Sequence, residues 1–407
     1  MKIYADLHIH SKYSRATSKD LTLENLEKYA RIKGIGLLGT GDFTHPKWLG
    51  ELKKLDEADG VLKTKSDFPF ILQAEIANIY SEAGKVRKIH NIILAPSIEV
   101  VGQINAFLET KGNLEADGRP IFGKMNCAEL VEELMSISRD IELIPAHTWT
   151  PWFSIFGSMS GFDSVEECFG DQAKHIHALE TGLSSDPEMN WRVSSLDKYN
   201  LISNSDAHSF WPWRIGRECN VFDIDLSYEN VIKAIRTGKG FVETIEVDPA
   251  YGKYHIDGHR NCDFCTEPGK IKGDVCPKCG KKMTIGVLHR VEELADRKPG
   301  YVPKGKPDFR RMLPLSEIIS MSTGVKQMHS KKVMGIHEKL IGEFKNEFAV
   351  LLNTSEGDLK NIVDEKLAGL ILKNRIGKIK VKPGYDGVYG EAVFEKTKEG
   401  QKNLEEF

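Results

Sequence analysis

Histidine and carboxylate recur in this sequence at spacings that could build a metal centre. His8-Ile9-His10 follows Asp6, and Asp206-Ala207-His208 repeats the i, i+2 arrangement late in the same half of the chain. On a strand, residues two apart point to the same side, so each pair can aim at one region. Between them come Asp42, His45, Glu75, His90 and His147. Imidazole and carboxylate together suit Zn, Mn, Mg or Fe, and this many candidates could hold two or three divalent ions. A shared carboxylate such as Glu75 could bridge two of them. Ions about 3.5–4 Å apart recur in phosphoester hydrolysis, where they activate water and neutralise phosphoryl oxygens. No Ser or Cys motif offers a protein nucleophile, so His8, His10, Glu75 and Asp206 are expected at the heart of catalysis.

A second group has different chemistry. Cys262-x2-Cys265-x10-Cys276-x2-Cys279 is a pair of CxxC knuckles. Four thiolates with no open position form a structural zinc site, which replaces a hydrophobic core that so short a segment cannot build. A redox CxxC would need a βαβ setting that is absent here. The other cysteines, Cys127, Cys168 and Cys219, are scattered. That usage fits reduced thiols rather than a disulfide framework.

Alternating strands and helices must position the first group. Residues 1–245 offer apolar runs in MKIYADLHIH, GIGLLGTGD, FILQAEI, HNIILAP, IELIPAH, IHALETG and LISNSDAH, separated by helix-length segments such as Leu21–Arg31. That pattern predicts a parallel sheet or barrel covered on both faces. Most of these strands end in an ionisable side chain, where α/β barrels gather functional groups. A lone His near a strand is ordinarily structural, but so many tipped strand ends demand pairing or metal, because buried charge is costly. His175-Ile176-His177 starts a strand instead and reads as structural, with Glu180 at the far end as support for the site. After a polar connector near 246–260, helices are expected at Val287–Ala295, Leu315–Met321, Ser330–Leu352 and Leu359–Lys373, then a small hairpin in KIKVKPGYDGVYGEAVFE.

Charge is uneven. The whole chain carries −3, but residues 1–252 hold 27 basic and 37 acidic side chains, whereas residues 253–407 hold 29 and 22. An acidic half suits cations and a basic half suits a polyanion such as nucleic acid. Lys270, Lys272, Lys278, Lys281 and Lys282 surround the cysteine cluster, and Arg297, Lys298, Lys304, Lys306, Arg310 and Arg311 follow. No apolar run is long enough for a membrane span, and the N-terminus does not read as a signal peptide. A cytoplasmic protein is expected.

The set DLHIH at 6–10, GTGD at 39–42, AEI at 74–76, HN at 90–91, PAH at 145–147 and NSDAH at 204–208 resembles the PHP (polymerase and histidinol phosphatase) phosphoesterases. The resemblance implies an α/β fold, a distorted βα barrel with a trinuclear metal centre at its mouth. It implies the ligands His8, His10, Asp42, Glu75, His90, His147, Asp206 and His208. Asp42 stands where many relatives place a histidine, so His45 could supplement it.

The full architecture, a barrel, a four-cysteine zinc-binding segment, LPLSEIIS at 313–320 and PGYDGVYGE at 383–391, resembles the endonuclease Q family. Domains are expected at 1–248, 249–300 and 301–407, the last mainly helical with a small hairpin. The resemblance implies a DNA repair enzyme that nicks 5′ to uracil, hypoxanthine, xanthine or an abasic site, leaving 3′-hydroxyl and 5′-phosphate ends. Trp149, Trp152, Trp211 and Trp213 follow metal-ligand strands, with Arg214 beside them. They read either as a lid packed on the barrel or, with Lys281 and Lys282, as DNA contacts that accept a flipped base. A small-molecule phosphatase would leave the basic, zinc-binding half unexplained. An exonuclease, and a scaffold that only binds nucleic acid, are the remaining alternatives. The tail Gln401-x2-Leu404-x2-Phe407 resembles a sliding-clamp peptide without its second aromatic.

Overall fold

The computed structural model describes residues 2–116, 120–271 and 273–393. The strand Lys2–Asp6 lies centrally, parallel to Leu37–Gly39 on one side and antiparallel to Cys219–Asp223 on the other. Leu37–Gly39 continues parallel to Pro69–Ile71, and one residue later the chain enters the long strand Gln73–Glu82. This strand folds back antiparallel onto Lys85–Leu94, which pairs with Glu142–Pro145. Ala178–Glu180 runs beside that strand and parallel to Asn200–Ile202. The ring closes where Ile9, just past the first strand, bridges Ala207. It is a distorted barrel of mixed strand direction. The hairpin replaces the parallel crossover expected between FILQAEI and HNIILAP. Ala83 (φ 50°) and Gly84 (φ 76°) both take the left-handed conformation that a two-residue hairpin turn requires.

Period-2 alternation does what the sequence asks. Ile3, Ala5, Leu37, Ile71, Ile92, Ile144, Ala178 and Ile202 meet in one inner cluster. The helix Tyr228–Thr237 closes it at the N-terminal strand ends, where Asn200 Nδ2 donates to the Ile235 carbonyl. The opposite, C-terminal ends are left for chemistry. The helix Leu23–Lys33 is capped by Thr22, whose side chain accepts from Asn25 N–H, and stops at Gly34 (φ 98°).

After the barrel, Asp257–His259 pairs with Phe264–Thr266 to begin the cysteine-rich segment. The helix expected at Leu315–Met321 runs on to Thr323, while the one expected at Ser330–Leu352 is cut short. Lys331–Phe344 stops at Lys345, which adopts φ 75°, and a π-turn covers Ala349–Asn353. The last predicted helix divides into Glu356–Ile362 and Glu365–Arg375, capped by Ser355 and Asp364. These caps bond the first N–H groups of a new helix, and they interrupt an apolar periodicity that would otherwise run on. A hairpin forms from Lys380–Lys382 and Glu391–Val393. The strand Asp308–Arg311 pairs with Phe241–Glu246 of the barrel sheet, so position 300 is no break in space. The proposed tail motif at 401–407 lies outside the described residues, as does Lys272. Among the described residues no helix is long and apolar enough to cross a membrane.

One buried ion pair pins the helical region to the barrel. Lys33 Nζ, in the last turn of Leu23–Lys33, lies 2.5 Å from Glu347 Oε1 and 3.0 Å from the Pro212 carbonyl. Glu347 also accepts from Leu315 N–H at 2.8 Å, and its other oxygen is 3.3 Å from His337 Nε2. All three side chains are buried. Burial pushes the Glu347 pKa up, but Lys33 and His337 outweigh that and hold it below the usual carboxylate value. Removing one partner from such a pair strands the other charge. Glu347→Gln should therefore cost about 3–5 kcal/mol of stability, read from denaturant unfolding. Because the folded pKa is depressed, the contribution is complete above the unfolded carboxylate pKa of about 4.3 and fades as pH falls through the folded value. The stability curves of the wild type and Glu347→Gln should converge toward acid.

Candidate metal centre

One end of the barrel brings seven of the expected side chains together. Ligand atoms of His8, His10 and Glu75 form one group, those of Glu75, His90 and His147 a second, and those of His10, Asp206 and His208 a third; within each they lie within 4.8 Å of one another. Glu75 and His10 each belong to two groups, the sharing that neighbouring ions would require. Glu75 Oε1 is 2.7 Å from His90 Nδ1 and 3.1 Å from His147 Nε2, and its Oε2 is 3.5 Å from His10 Nε2. Asp206 Oδ1 lies 3.0 Å from His10 Nε2, 3.7 Å from His8 Nε2 and 3.6 Å from His208 Nδ1. Glu75, His8 and His10 have no exposed side-chain surface, whereas about a third of Asp206 and His208 is open. Solvent therefore enters from the Asp206–His208 side.

The backbone is bent to achieve this. Asp42 (φ 39°), His147 (φ 30°) and Asp206 (φ 47°) all adopt positive φ. Such conformations cost about 1–3 kcal/mol each in a non-glycine residue and persist where the surroundings over-determine them. At His147 the surroundings include Gly182, where a Cβ would lie 2.7 Å from the His147 Cβ.

Behind the centre, Glu180 fixes the histidines, in the supporting place the sequence suggests for it. Its carboxylate lies 3.0 and 3.1 Å from His8 Nδ1 and accepts from His147 N–H at 2.7 Å and Asn204 Nδ2 at 2.9 Å. His8 Nδ1 is thus held as the donor, so the Nε2 lone pair points inward. That buried Nε2 has no hydrogen-bond partner and sits between Glu75 and Asp206. An imidazole held by an outer carboxylate, with its other nitrogen aimed into a carboxylate-rich site, is the usual arrangement of a metal ligand. Electrostatics agrees. Burial pushes His8 and His10 down, but the surrounding carboxylates (Glu180 first for His8, Asp42 first for His10) raise them to about 9 and about 10. Burial raises Asp206, but the His10 hydrogen bond and the nearby histidines hold it well below the usual carboxylate range. The site attracts positive charge, and divalent cations fit its donor set.

Two expected ligands stand elsewhere. Asp42 lies behind His10: its Oδ1 is 3.0 Å from His10 Nδ1, and its Oδ2 accepts from Ser11 N–H and Oγ, each at 2.6 Å. Both oxygens are engaged, so Asp42 orients His10 rather than joining the three groups. His45 stacks on Tyr13 with ring centroids 4.4 Å apart and begins the helix Pro46–Leu52, outside all three groups. Asp6, at a tipped strand end, is also a clamp: its carboxylate accepts from Ser205 N–H, Ser205 Oγ and Gly216 N–H. Sequence reasoning missed Gln73, whose Oε1 accepts from Gly41 N–H at 3.0 Å and Ile9 N–H at 3.2 Å. A glutamine in an apolar strand carries no spacing signal.

The cysteine segment also differs from expectation. Cys262, Cys276 and Cys279 come together with His259, whose Nδ1 is 3.4 Å from Cys279 Sγ. Cys265 is exposed and outside this group. It pairs with Gly258 in the ladder, which extends the backbone where a knuckle would curl it. The spacing His259-x2-Cys262 was readable but lay in the shadow of the CxxC pattern. The second knuckle is formed: Gly280 N–H donates to the Cys276 carbonyl at 2.8 Å. Lys281 and Lys282 are exposed beside it.

Among the candidate DNA contacts, Trp149 is buried and donates from Nε1 to Asn190 Oδ1 at 2.8 Å. Trp213 is buried too, stacked on Trp211 at 4.9 Å. Both belong to the packing, which leaves Trp152, Trp211 and Arg214 partly open.

Comparison with known proteins adds an independent finding. The family model described as the MJ0043 C-terminal domain matches residues 314–378. The protein MJ0043 of Methanocaldococcus jannaschii is 37% identical over 258 residues, 61% of this chain, but the match spans only 32% of that longer protein. The YqxK protein of Bacillus subtilis is 32% identical over 410 residues, covering 96% of this chain and 99% of that protein. Two solved structures superpose with a TM-score of 0.86 at 33% identity. One is the lesion-specific endonuclease PfuEndoQ from Pyrococcus furiosus, covering 97% of this chain and 96% of that one. The other is endonuclease Q complexed with a 27-mer duplex substrate bearing an abasic lesion at the active site, covering 97% of each chain.

Two outcomes follow from the geometry. Glu180→Gln should weaken Mn2+ or Zn2+ binding by about 10- to 100-fold, the range for loss of an outer partner of a metal ligand; calorimetric titration of the metal-free chain reads it. Cys276→Ser should lose the ion of the cysteine segment while the barrel ions remain, which elemental analysis checks.

Proposed function

This chain belongs to the endonuclease Q family, and from that premise we propose that it is a metal-dependent DNA repair endonuclease that cuts the phosphodiester 5′ to an abasic site or a deaminated base. The observation that carries the reading is the set of three overlapping ligand groups sharing Glu75 and His10, open to solvent on the Asp206–His208 side.

His8, His10, Glu75, His90, His147, Asp206 and His208 would hold two or three divalent ions, and His259, Cys262, Cys276 and Cys279 a structural zinc. Bound divalent ions supply an acidified water and positive charge for the phosphoryl oxygens. The protein supplies placement. Glu180 and Asp42 lock the rings of His8 and His10, so the inward nitrogens cannot rotate away. Asp206, 3.0 Å from His10 Nε2 and 3.7 Å from His8 Nε2 yet one-third exposed, stands where a phosphate backbone would arrive. The basic second half would hold that backbone.

Specificity for damage has a physical source. Uracil, hypoxanthine and xanthine pair poorly and an abasic site pairs not at all, so extruding the nucleotide costs less than in intact duplex. Deamination also replaces an exocyclic amine with a carbonyl oxygen, which a donor on the loops after His147 or His208 could read.

Duplexes with a single deoxyuridine, deoxyinosine or abasic site, tested with Mg2+, Mn2+ or Zn2+, should yield one cut 5′ to the lesion. An undamaged duplex should stay whole. Degradation from the ends of every duplex would replace this reading with an exonuclease. Asp206→Asn should fold normally by circular dichroism and lower the nicking rate by at least about a hundredfold, the upper end of losing even an outer metal partner. Near-normal nicking by this variant would remove Asp206 from the site.

A further inference from the structure

Tyr389 lies in the turn between the strands Lys380–Lys382 and Glu391–Val393 and is 53% exposed, with Val388 beside it at 40%. A large aromatic left open on a loose turn would carry no meaning, but this turn is fixed on several sides. Gly384, Gly387 and Gly390 N–H groups donate to the carbonyls of Ala250 (2.9 Å), Lys253 (2.9 Å) and Tyr251 (3.1 Å). Asp386 accepts from Arg260 N–H at 2.7 Å and Thr284 Oγ1 at 2.6 Å, and Tyr385 Oη donates to Asp263 Oδ1 at 2.6 Å. The backbones approach so closely that a Cβ on Gly390 would sit 2.2 Å from the Ala250 carbonyl oxygen. The turn and the connector at 249–260 are one rigid piece.

That piece lies along the rim of the metal centre. Tyr254 meets Trp152, in the loop after His147, edge-on at 5.5 Å. A Cβ on Gly252 would lie 3.2 Å from the Leu183 carbonyl oxygen, just after Glu180. Across the mouth, Arg217 donates from Nε and Nη2 to the Ser205 carbonyl at 3.1 and 2.8 Å, next to Asp206. Lys253 Nζ sits 4.8 Å from the Tyr389 ring centroid, and Arg260 is exposed at the base of the turn. A rigid, exposed aromatic face flanked by cations, on a piece that packs against the loop after His147, has the chemistry of a stacking platform for single-stranded nucleic acid.

We propose that Tyr389 stacks against a nucleobase of the DNA strand next to the cleaved bond, with Lys253 and Arg260 holding the adjacent phosphates. The inference rests on the endonuclease reading above and adds a residue far from the metal ligands in sequence. The ring, not the hydroxyl, does the holding, so Tyr389→Trp keeps the function and Tyr389→Ala loses it.

The test measures anisotropy of a labelled abasic duplex bound to the full chain in an Asp206→Asn background, which prevents cutting. Tyr389→Ala should weaken binding about tenfold, equivalent to ~1.4 kcal/mol, and Tyr389→Trp should stay within about twofold of its parent, since stacking tolerates a larger ring. With 2-aminopurine beside the lesion, the parent and Tyr389→Trp should quench its fluorescence on binding, and Tyr389→Ala should not. Equal affinity and equal quenching in Tyr389→Ala, or an equal loss in Tyr389→Trp, overturns the inference while leaving the endonuclease reading intact. A parent that binds no lesion duplex overturns both.

Discussion

The carboxylate of Glu180 is the point on which the site turns. It has no exposed surface, it ends the strand Ala178–Glu180, and it reaches the ends of three other strands. One link is to the His8 ring, another to the His147 backbone, and a third to Asn204. Asn204 passes the connection on, because its Oδ1 accepts from Leu7 N–H at 2.8 Å and Asn220 Nδ2 at 2.9 Å. A buried carboxylate left unsatisfied is among the costliest features a fold can carry. The strand ends therefore converge where its acceptor sites are filled, and that convergence gathers the ligands. The strained backbone at His147 and Asp206 follows from the same constraint: each residue must leave its strand early to keep its side chain over the mouth.

The barrel shows what burial does to carboxylates without such partners. Burial pushes Glu218 up to about 8, and bonds from Val247 N–H and Ser203 Oγ and the charge of Arg217 only partly oppose it. Glu246 is raised as well, first by burial and then by Glu218. Both accept hydrogen bonds within the wall, Glu218 from Ser203 Oγ and Val247 N–H and Glu246 from Thr244 and Thr181. Asp206 has histidines around it and keeps its negative charge. Equivalent chemistry at neighbouring strand ends is thus divided by environment into structural acids whose pKa burial raises and a cation-seeking cluster whose Asp206 is held low, the kind of division that marks functional sites.

Much of this was legible in the sequence because the geometry of a strand is simple. His8 with His10, and Asp206 with His208, face one way by the period of two, and the apolar runs before them locate the strand ends. Contacts that depend on rotamers were not legible. Asp42 and His45 share the loop after Leu37–Gly39, beside the ligands, yet Asp42 turns to Ser11 and His10, and His45 turns to the Tyr13 ring. Cys265 has ideal spacing, but a ladder pair with Gly258 governs its backbone. Trp149 and Trp152 are three residues apart in one loop; the first found a buried acceptor in Asn190 and the second did not. Apart from Cys265, whose partner is seven residues away, each outcome was decided by a partner distant in sequence, which local pattern cannot supply. The Lys33–Glu347 pair is the extreme case, joining positions more than three hundred residues apart.

Those long-range pairs give the second half of the chain its relation to the first. Arg192 grips Glu292 with both terminal nitrogens, Arg297 does the same to Asp197, and Arg311 reaches Asp186 and Glu188. Arg290 bonds the carbonyls of Phe156 and Phe162 in the loop that follows His147. These pairs anchor to the loops after the strands that end near His147 and Glu180. Bidentate arginine pairs impose direction as well as attraction, so the helix Val287–Leu294 and the segment that follows it to Arg311 are held at a set angle to these loops. A basic surface tethered loosely would attract DNA without registering it. On the proposed reading, a fixed angle would let the same charges bring a phosphodiester to the metal centre at a repeatable distance, which cutting at one bond requires.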